Sequence, residues 1–302
     1  MSIFVFQFKI DVMVLLDGKK TSNDIKEELK IKVDKLKVEG KKVPHLAAVL
    51  IGDNGASITY VNAKVKACDY VGFKSSLIKL PSDISEADLM SEIEKLNNDD
   101  NLDGYIVQLP LPKHINELKV TQAISPAKDV DGFHPESLGK MMLDLPCFLP
   151  ATPFGIVQLL ERYDVETSGK HCVVVGRSHI VGSPMSILMA RNNKYGNCTV
   201  TLTHSRTKNL AEITKTADIL IVALGKTEFI TGDMVKDGVV VIDVGITRVV
   251  DSSKKSGFKL LGDVNFEEVS KKASFITPVP GGVGPMTIAS LLMNTFKAVE
   301  MK

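Results

Sequence analysis

Net charge is nearly absent from this sequence. Its 37 Lys and Arg stand against 36 Asp and Glu, leaving +1 over 302 residues. Without a basic field or a charged tail, the chain has no compositional support for nucleic-acid binding. No run of eighteen apolar residues occurs, so no membrane-crossing helix is expected. Cysteine is sparse: Cys68, Cys147, Cys172 and Cys198 form no CxxC pair and have no neighbouring histidine. That argues against a zinc site and for free thiols in a reducing compartment. Carboxylate and histidine clusters are missing too, so no metal is expected. No repeat period points to a solenoid. A cationic leader with a small-residue cleavage site is also lacking, and a cytoplasmic location is the expectation. The opening MSIFVFQFKIDV is apolar but soon interrupted by Lys9 and Asp11. It reads either as an extra strand or as residues upstream of a start at Met13, and residues 1–12 are set outside the functional argument.

What is present is a soluble globular balance, 44% apolar and 24% charged, long enough for two domains. From Met13 onward, strand and helix signals alternate. Residues 21–39 predict an exposed amphipathic helix, and PHLAAVLIG a buried strand closed by Gly52. SITYVNAKVKACDYVGF predicts a helix ending near Gly72. SSLIKLP, EADLMSEIEKLNND and GYIVQLPLP continue as strand, helix and strand. Residues 125–155 carry five prolines and predict a junction or functional loop. FGIVQLLERY gives a helix, and a second series follows: KHCVVVGR, SPMSILMARN, CTVTLTHSRT, LAEITKTA, ADILIVALG and DGVVVIDVG. This β-α-β-α-β order predicts a parallel sheet with helices on both faces.

The turn after CVVV reads Gly176-Arg177-Ser178-His179-Ile180-Val181-Gly182. Glycines there let phosphates approach the backbone, although the spacing is not GxGxxG and any strand-to-helix turn can hold two glycines. The next strand ends His204-Ser205-Arg206 with no acid. An NAD site expects a carboxylate at that point for the ribose hydroxyl, whereas Ser, Arg and His suit a 2′-phosphate. NADP is therefore favoured over NAD, a solvated basic turn being the alternative. Gly225 and Gly245 end two further strands that would line the ligand crevice. Asp243 reads as a carboxylate capping backbone amides.

In the first half, Tyr60 and Lys64 share a helix face four residues apart, an arrangement that is more often a surface pair. Gln108, in VQLPLP, is an amide among apolar residues that needs partners, either local backbone or a ligand. Asp129 and Asp131 in KDVDGFHP suit Asx-turns. Near the end, TPVPGGVGPMT makes a rigid loop poor in side chains, with Thr287 as the expected cap of the closing helix.

Taken together, GASITYVNAKVKAC, VQLPLP, KDVDG, VVVGRSHIVGSP, VVIDVGI and PGGVGPMT resemble the bifunctional methylenetetrahydrofolate dehydrogenase/methenyltetrahydrofolate cyclohydrolase family, over roughly residues 13–300. The resemblance implies oxidation of 5,10-methylenetetrahydrofolate with NADP, then hydrolysis to 10-formyltetrahydrofolate, within one-carbon metabolism. It implies proton handling by Lys64, held by Gln108, with Tyr60 bordering the folate ring and able to assist. Asp131 would bind the pterin, and Pro280, Gly281, Gly282 and Val283 would shape the folate wall. Gly176, Arg177 and Ser178 would cradle phosphates, with Arg177 and Ser205 near the 2′-phosphate, His204 beside them in the cofactor site, and Ile246 by the nicotinamide. A homodimer is also implied. The expected fold is α/β in two domains with the active site in the cleft between them. A folate-binding catalytic domain would span 13–148 plus 283–302, and a Rossmann-like doubly wound NADP-binding domain 149–282. Two other readings stay open: a dehydrogenase without cyclohydrolase activity, and a non-catalytic folate-binding protein.

Overall fold

The computed structural model describes residues 13–254 and 257–301. The opening dozen residues, which the sequence leaves open between strand and upstream start, lie outside the described residues.

The first half runs β1 (Val14–Leu15), α1 (Gly18–Val38), β2 (His45–Ile51), α2 (Gly55–Val71), β3 (Lys74–Leu80), α3 (Glu86–Asn97), β4 (Gly104–Val107), α4 (Glu117–Ala123) and α5 (Pro135–Met142). α1 starts where the Asp17 carboxylate accepts from the Lys20 N–H at 2.9 Å, and it buries Ile25, Leu29 and Val33, one stripe at helical spacing. α2 is capped by Asn54 and stops at Gly72, whose φ of +81° suits a residue without Cβ. β2 is the middle strand of a parallel sheet ordered β3-β2-β4. Its side chains alternate: Leu46, Ala48 and Leu50 pack with Val61 and Cys68 of α2, while Ala47, Val49 and Ile51 pack with Leu89 and Ile93 of α3. Burial on both faces explains why β2 reads as a continuous apolar run.

The second half runs α6 (Ala151–Arg162), β5 (His171–Val175), α7 (Gly182–Ala190), β6 (Thr199–Thr203), α8 (Leu210–Thr214), β7 (Ile219–Val222), β8 (Val240–Asp243), β9 (Thr247–Val250), β10 (Phe258–Leu261), α9 (Phe266–Val269), β11 (Phe275–Ile276) and α10 (Val283–Glu300). Six strands form one parallel sheet, ordered β1-β11-β8-β7-β5-β6. The chain leaves β5 for β6 on one side and returns to β7 on the other. The reversal opens a crevice at the carboxyl ends of β5 and β7, the position where ligands bind in such sheets.

The two sheets are locked at their opposite ends by the same device. The His45 ring bonds Ser76 Oγ at 2.8 Å, and its backbone N–H donates to Asp103. The His171 ring bonds Thr201 Oγ1 at 2.9 Å, and its backbone N–H donates to Asp218. Lys42 and Lys236 pair with the two aspartates. This symmetry leaves the carboxyl ends of both sheets free for chemistry.

Several elements differ from the sequence expectation. Val14–Leu15 pairs with β11 in the larger sheet, so the chain contributes to that sheet before it enters the smaller one; Leu16 behind it is fully buried. The 125–155 stretch holds α5, begun by the His134 cap and Pro135 at its first position. β9 and β10 form an antiparallel hairpin of their own. Thr287 is not a cap. α10 begins four residues earlier, after Gly282, because the PGG turn docks there on the start of α1: Lys19 N–H donates to Gly281 O at 2.8 Å, and a Cβ on Gly18 would overlap Gly282 O. The Thr287 hydroxyl instead lies 3.0 Å from that of Thr152 on α6.

Candidate active site

α2 presents Tyr60 and Lys64 toward the end of β4. The Gln108 backbone N–H extends the β2–β4 ladder by donating to Val49 O at 2.9 Å, which fixes where its side chain begins. Its amide nitrogen donates to Leu109 O at 2.8 Å, so the amide oxygen is turned to accept from Lys64 Nζ at 3.1 Å. Lys64 is only 7% exposed. Burial pushes its ammonium below the ordinary 10.5, and the nearby Asp131 carboxylate opposes that shift. Asp131 is moved the other way: burial raises its carboxyl above the usual range, and Lys64 pulls it back. Each group therefore sits closer to its neutral form than it would in water. Burial raises the Tyr60 phenol above its ordinary value, and the charge of Arg248 on β9 opposes that shift.

Asp131 is positioned by its neighbours. Asn294, deep in α10, donates to Val130 O at 2.8 Å and to Leu149 O at 2.9 Å. Ala151 N–H donates to Asp131 O at 3.1 Å, and Gly132 turns with φ +74° against the Leu149 backbone. Asp129 accepts from the backbone N–H groups of Phe133 and His134 and from the Ser137 hydroxyl, so it braces the turn. Burial pushes its carboxyl up to about 7. A small cavity lined by Tyr105, Leu109, Asp129, Asp131 and Phe133 opens beside the Asp131 side chain. Among the described residues, no group of His, Cys, Asp or Glu could hold a metal ion.

The second cluster sits at the crevice of the larger sheet. Gly176 ends β5 with φ +118°, and a Cβ there would overlap Ala223 O. A Cβ on Gly182 would overlap Gly176 O, so the turn is closed to side chains on its inner face. Arg177 and Ser178 are exposed on it, and the Ser178 hydroxyl accepts from Val181 N–H at 3.2 Å. At the end of neighbouring β6, Ser205 and Arg206 are exposed, while the His204 ring accepts from Arg206 N–H at 3.1 Å. A glycine-lined turn with Arg177, Ser205 and Arg206 around it fits a dinucleotide carrying an extra phosphate. Ile246, just beyond β8, is 46% exposed.

The loop that begins at Thr277 leads from β11 into α10. It carries Pro280, Gly281 and Gly282, and Val283 is buried where α10 begins.

Residues 16–131 match the family model described as tetrahydrofolate dehydrogenase/cyclohydrolase, catalytic domain, and residues 150–302 match its NAD(P)-binding domain. This chain belongs to the tetrahydrofolate dehydrogenase/cyclohydrolase family. It is 71% identical over 290 residues to the bifunctional protein FolD of Cytophaga hutchinsonii, covering 96% of this chain and all of that protein. The bifunctional FolD dehydrogenase/cyclohydrolase of Campylobacter jejuni superposes with a TM-score of 0.89 at 49% identity, covering 96% of this chain and 99% of that one. The Trypanosoma brucei dehydrogenase-cyclohydrolase, solved with NADP cofactor and inhibitor, superposes with a TM-score of 0.91 at 36% identity, covering 96% and 98%.

As a member of this family, the chain brings Tyr60, Lys64, Gln108 and Asp131 into one cluster and Gly176, Arg177, Ser178, His204 and Ser205 into another. Sequence reasoning passed over two residues. Arg248 lies on a hairpin whose strands, TRVV and FKLL, flank a turn-forming DSSKKSG, which is a legible hairpin signal. Asp263 is a single acid in LGDV with no pattern to mark it.

Proposed function

We propose that this chain oxidises 5,10-methylenetetrahydrofolate to the 5,10-methenyl cation with NADP and then hydrolyses that cation to 10-formyltetrahydrofolate. The observation that carries the reading is the buried Lys64 amine, 3.1 Å from an oriented Gln108 oxygen and within the field of Asp131.

NADP accepts the hydride when bound. Arg177 and Ser178 would hold its phosphates beside Gly176, with Arg177, Ser205 and His204 toward the 2′-phosphate and Ile246 toward the nicotinamide. Asp131 takes the amino and ring N–H groups of the pterin, Tyr60 borders the ring system, and the Pro280–Val283 turn forms its opposite wall. Oxidation asks the protein chiefly for contact geometry between two flat rings. Hydrolysis asks for proton transfer as water adds to the cation. A lysine whose ammonium is disfavoured by burial, beside a cationic substrate, supplies a neutral amine near neutral pH. Gln108 accepts from that amine and keeps it aimed.

The division expected for such a site is a folate-binding unit of 13–148 with 283–302 and a dinucleotide-binding unit of 149–282. α10 packs on α1 and α2 of the first unit and as heavily on α6 of the second, so it is shared between them. The working unit is proposed to be a homodimer in the cytoplasm; no helix among the described residues is long and apolar enough to cross a membrane.

Lys64→Met separates the activities. It should abolish hydrolysis of added methenyltetrahydrofolate while folate still binds by calorimetry. Unchanged hydrolysis in the folded variant would remove Lys64 from the mechanism.

A further inference from the structure

Two buried carboxylates tie together the strand ends that face the proposed nicotinamide position. Asp263 is fully buried. Its Oδ2 accepts from Leu224 N–H at 2.6 Å and Gly225 N–H at 2.8 Å, and its Oδ1 accepts from Lys226 N–H at 2.8 Å. Asp243, at the end of β8, accepts from Gly245 N–H at 2.9 Å and Asp263 N–H at 3.0 Å on one oxygen, and from Val264 N–H at 3.0 Å on the other. Six backbone donors thus converge on four carboxylate oxygens. Two glycines make the approach possible: a Cβ on Gly245 would overlap the Asp263 carboxylate, and one on Gly262 would overlap Asp243 Oδ2. The backbone N–H of Asp243 also donates to Thr277 Oγ1 at 2.7 Å, at the head of the loop that carries Pro280.

Stability alone is a weak reason for this arrangement. Burying two carboxylates is costly, and apolar residues of similar volume commonly serve a core as well or better. A carboxylate that accepts several N–H groups does what an apolar side chain cannot: it dictates where those N–H groups, and the loop carrying them, lie. The segments dictated here are 224–226 and 244–246, which end two adjacent strands at the ligand-binding edge of the sheet.

We infer that Asp243 and Asp263 are positioning residues for the cofactor: they hold the Gly225–Lys226 and Gly245–Ile246 backbones as the floor of the nicotinamide pocket and fix that floor to the folate wall through Thr277. This rests on the dinucleotide-binding reading given above. It makes the pair a determinant of hydride transfer and cofactor affinity, with no part in hydrolysis.

The test is Asp263→Asn in the full chain, with Gly225→Ala as a second variant. The asparagine turns an acceptor into a donor facing a backbone N–H. The alanine leaves both carboxylates in place but strains a residue at φ +68° in open space. Each should weaken NADPH binding, measured by calorimetry, by about tenfold or more. Hydrolysis of preformed methenyltetrahydrofolate without cofactor should stay within about twofold. Folded variants that bind NADPH as wild type does would overturn the inference. So would cofactor binding and hydrolysis falling in parallel, which would mark a general structural role. If Asp263→Asn does not fold, Gly225→Ala decides on the same readouts. Wild-type protein that binds no NADPH would instead overturn the dinucleotide reading itself.

Discussion

Replacing Gln108 by glutamate tests the proposed chemistry with a change of little more than one atom. In the native site the Gln108 oxygen accepts from Lys64 Nζ at 3.1 Å, and its amide donates to Leu109 O. Glutamate places a negative charge at that separation from the buried amine and leaves a carboxylate oxygen against Leu109 O. At an effective dielectric constant of about 20, the new attraction is about 5 kcal/mol, which offsets the burial that disfavours the ammonium. This raises the Lys64 pKa, against the lowering that burial imposes in the native site. Lys64 would then be locked in its charged form at neutral pH and unable to accept a proton. Hydrolysis of methenyltetrahydrofolate, followed by loss of its absorbance, should fall by about a hundredfold or more at neutral pH. Its pH profile should move to higher pH. Hydride transfer, which needs no proton acceptor, should persist. A Gln108→Glu enzyme that hydrolyses at the wild-type rate with an unshifted profile would refute the reasoning.

Asp131→Asn removes both the proposed pterin acceptor and the charge that supports the Lys64 ammonium. Folate binding should weaken by about 1.5–3 kcal/mol by calorimetry, and the hydrolysis profile should move to lower pH, opposite to the glutamate variant. Arg177→Ala should erode the preference for NADP over NAD by about tenfold in kcat/KM, since a charge-assisted phosphate contact is lost. Asp129 has a folded value of about 7 against an ordinary 3.8, so across that window the folded state binds the extra proton. Its contribution therefore makes stability fall as pH rises from about 4 to about 7. In thermal melts, Asp129→Asn should remove that component of the pH slope, and an unchanged slope would count against the burial argument.

Much of this architecture is legible because local patterns and tertiary demands agree. β2 and β5 are buried on both faces and read as apolar runs, and the Gly176 turn falls where a strand must give way to a helix. The site is harder to read. Lys64 looks like half of a surface pair until α2 is laid over β2 and the amine is enclosed. Gln108 looks like a stray amide until the ladder bond to Val49 aims it. The start of α10 is set by contact between Gly282 and Gly18, residues more than 260 apart, and no local cap marks it. β1 is two residues long and exists because β11 offers an open edge. Asp263 carries no signal of its own, since its importance lies in N–H groups that come from another strand's end.

Both reactions are proposed to run on this one chain. The direct measurement follows reduced cofactor and methenyl absorbance together, using the purified protein with 5,10-methylenetetrahydrofolate and either NADP or NAD. NADP should be reduced in preference to NAD, no methenyl species should accumulate, and added methenyltetrahydrofolate should be hydrolysed faster than the blank. Persistent methenyl absorbance would leave a dehydrogenase alone, and folded protein that reduces neither cofactor would contradict the account outright.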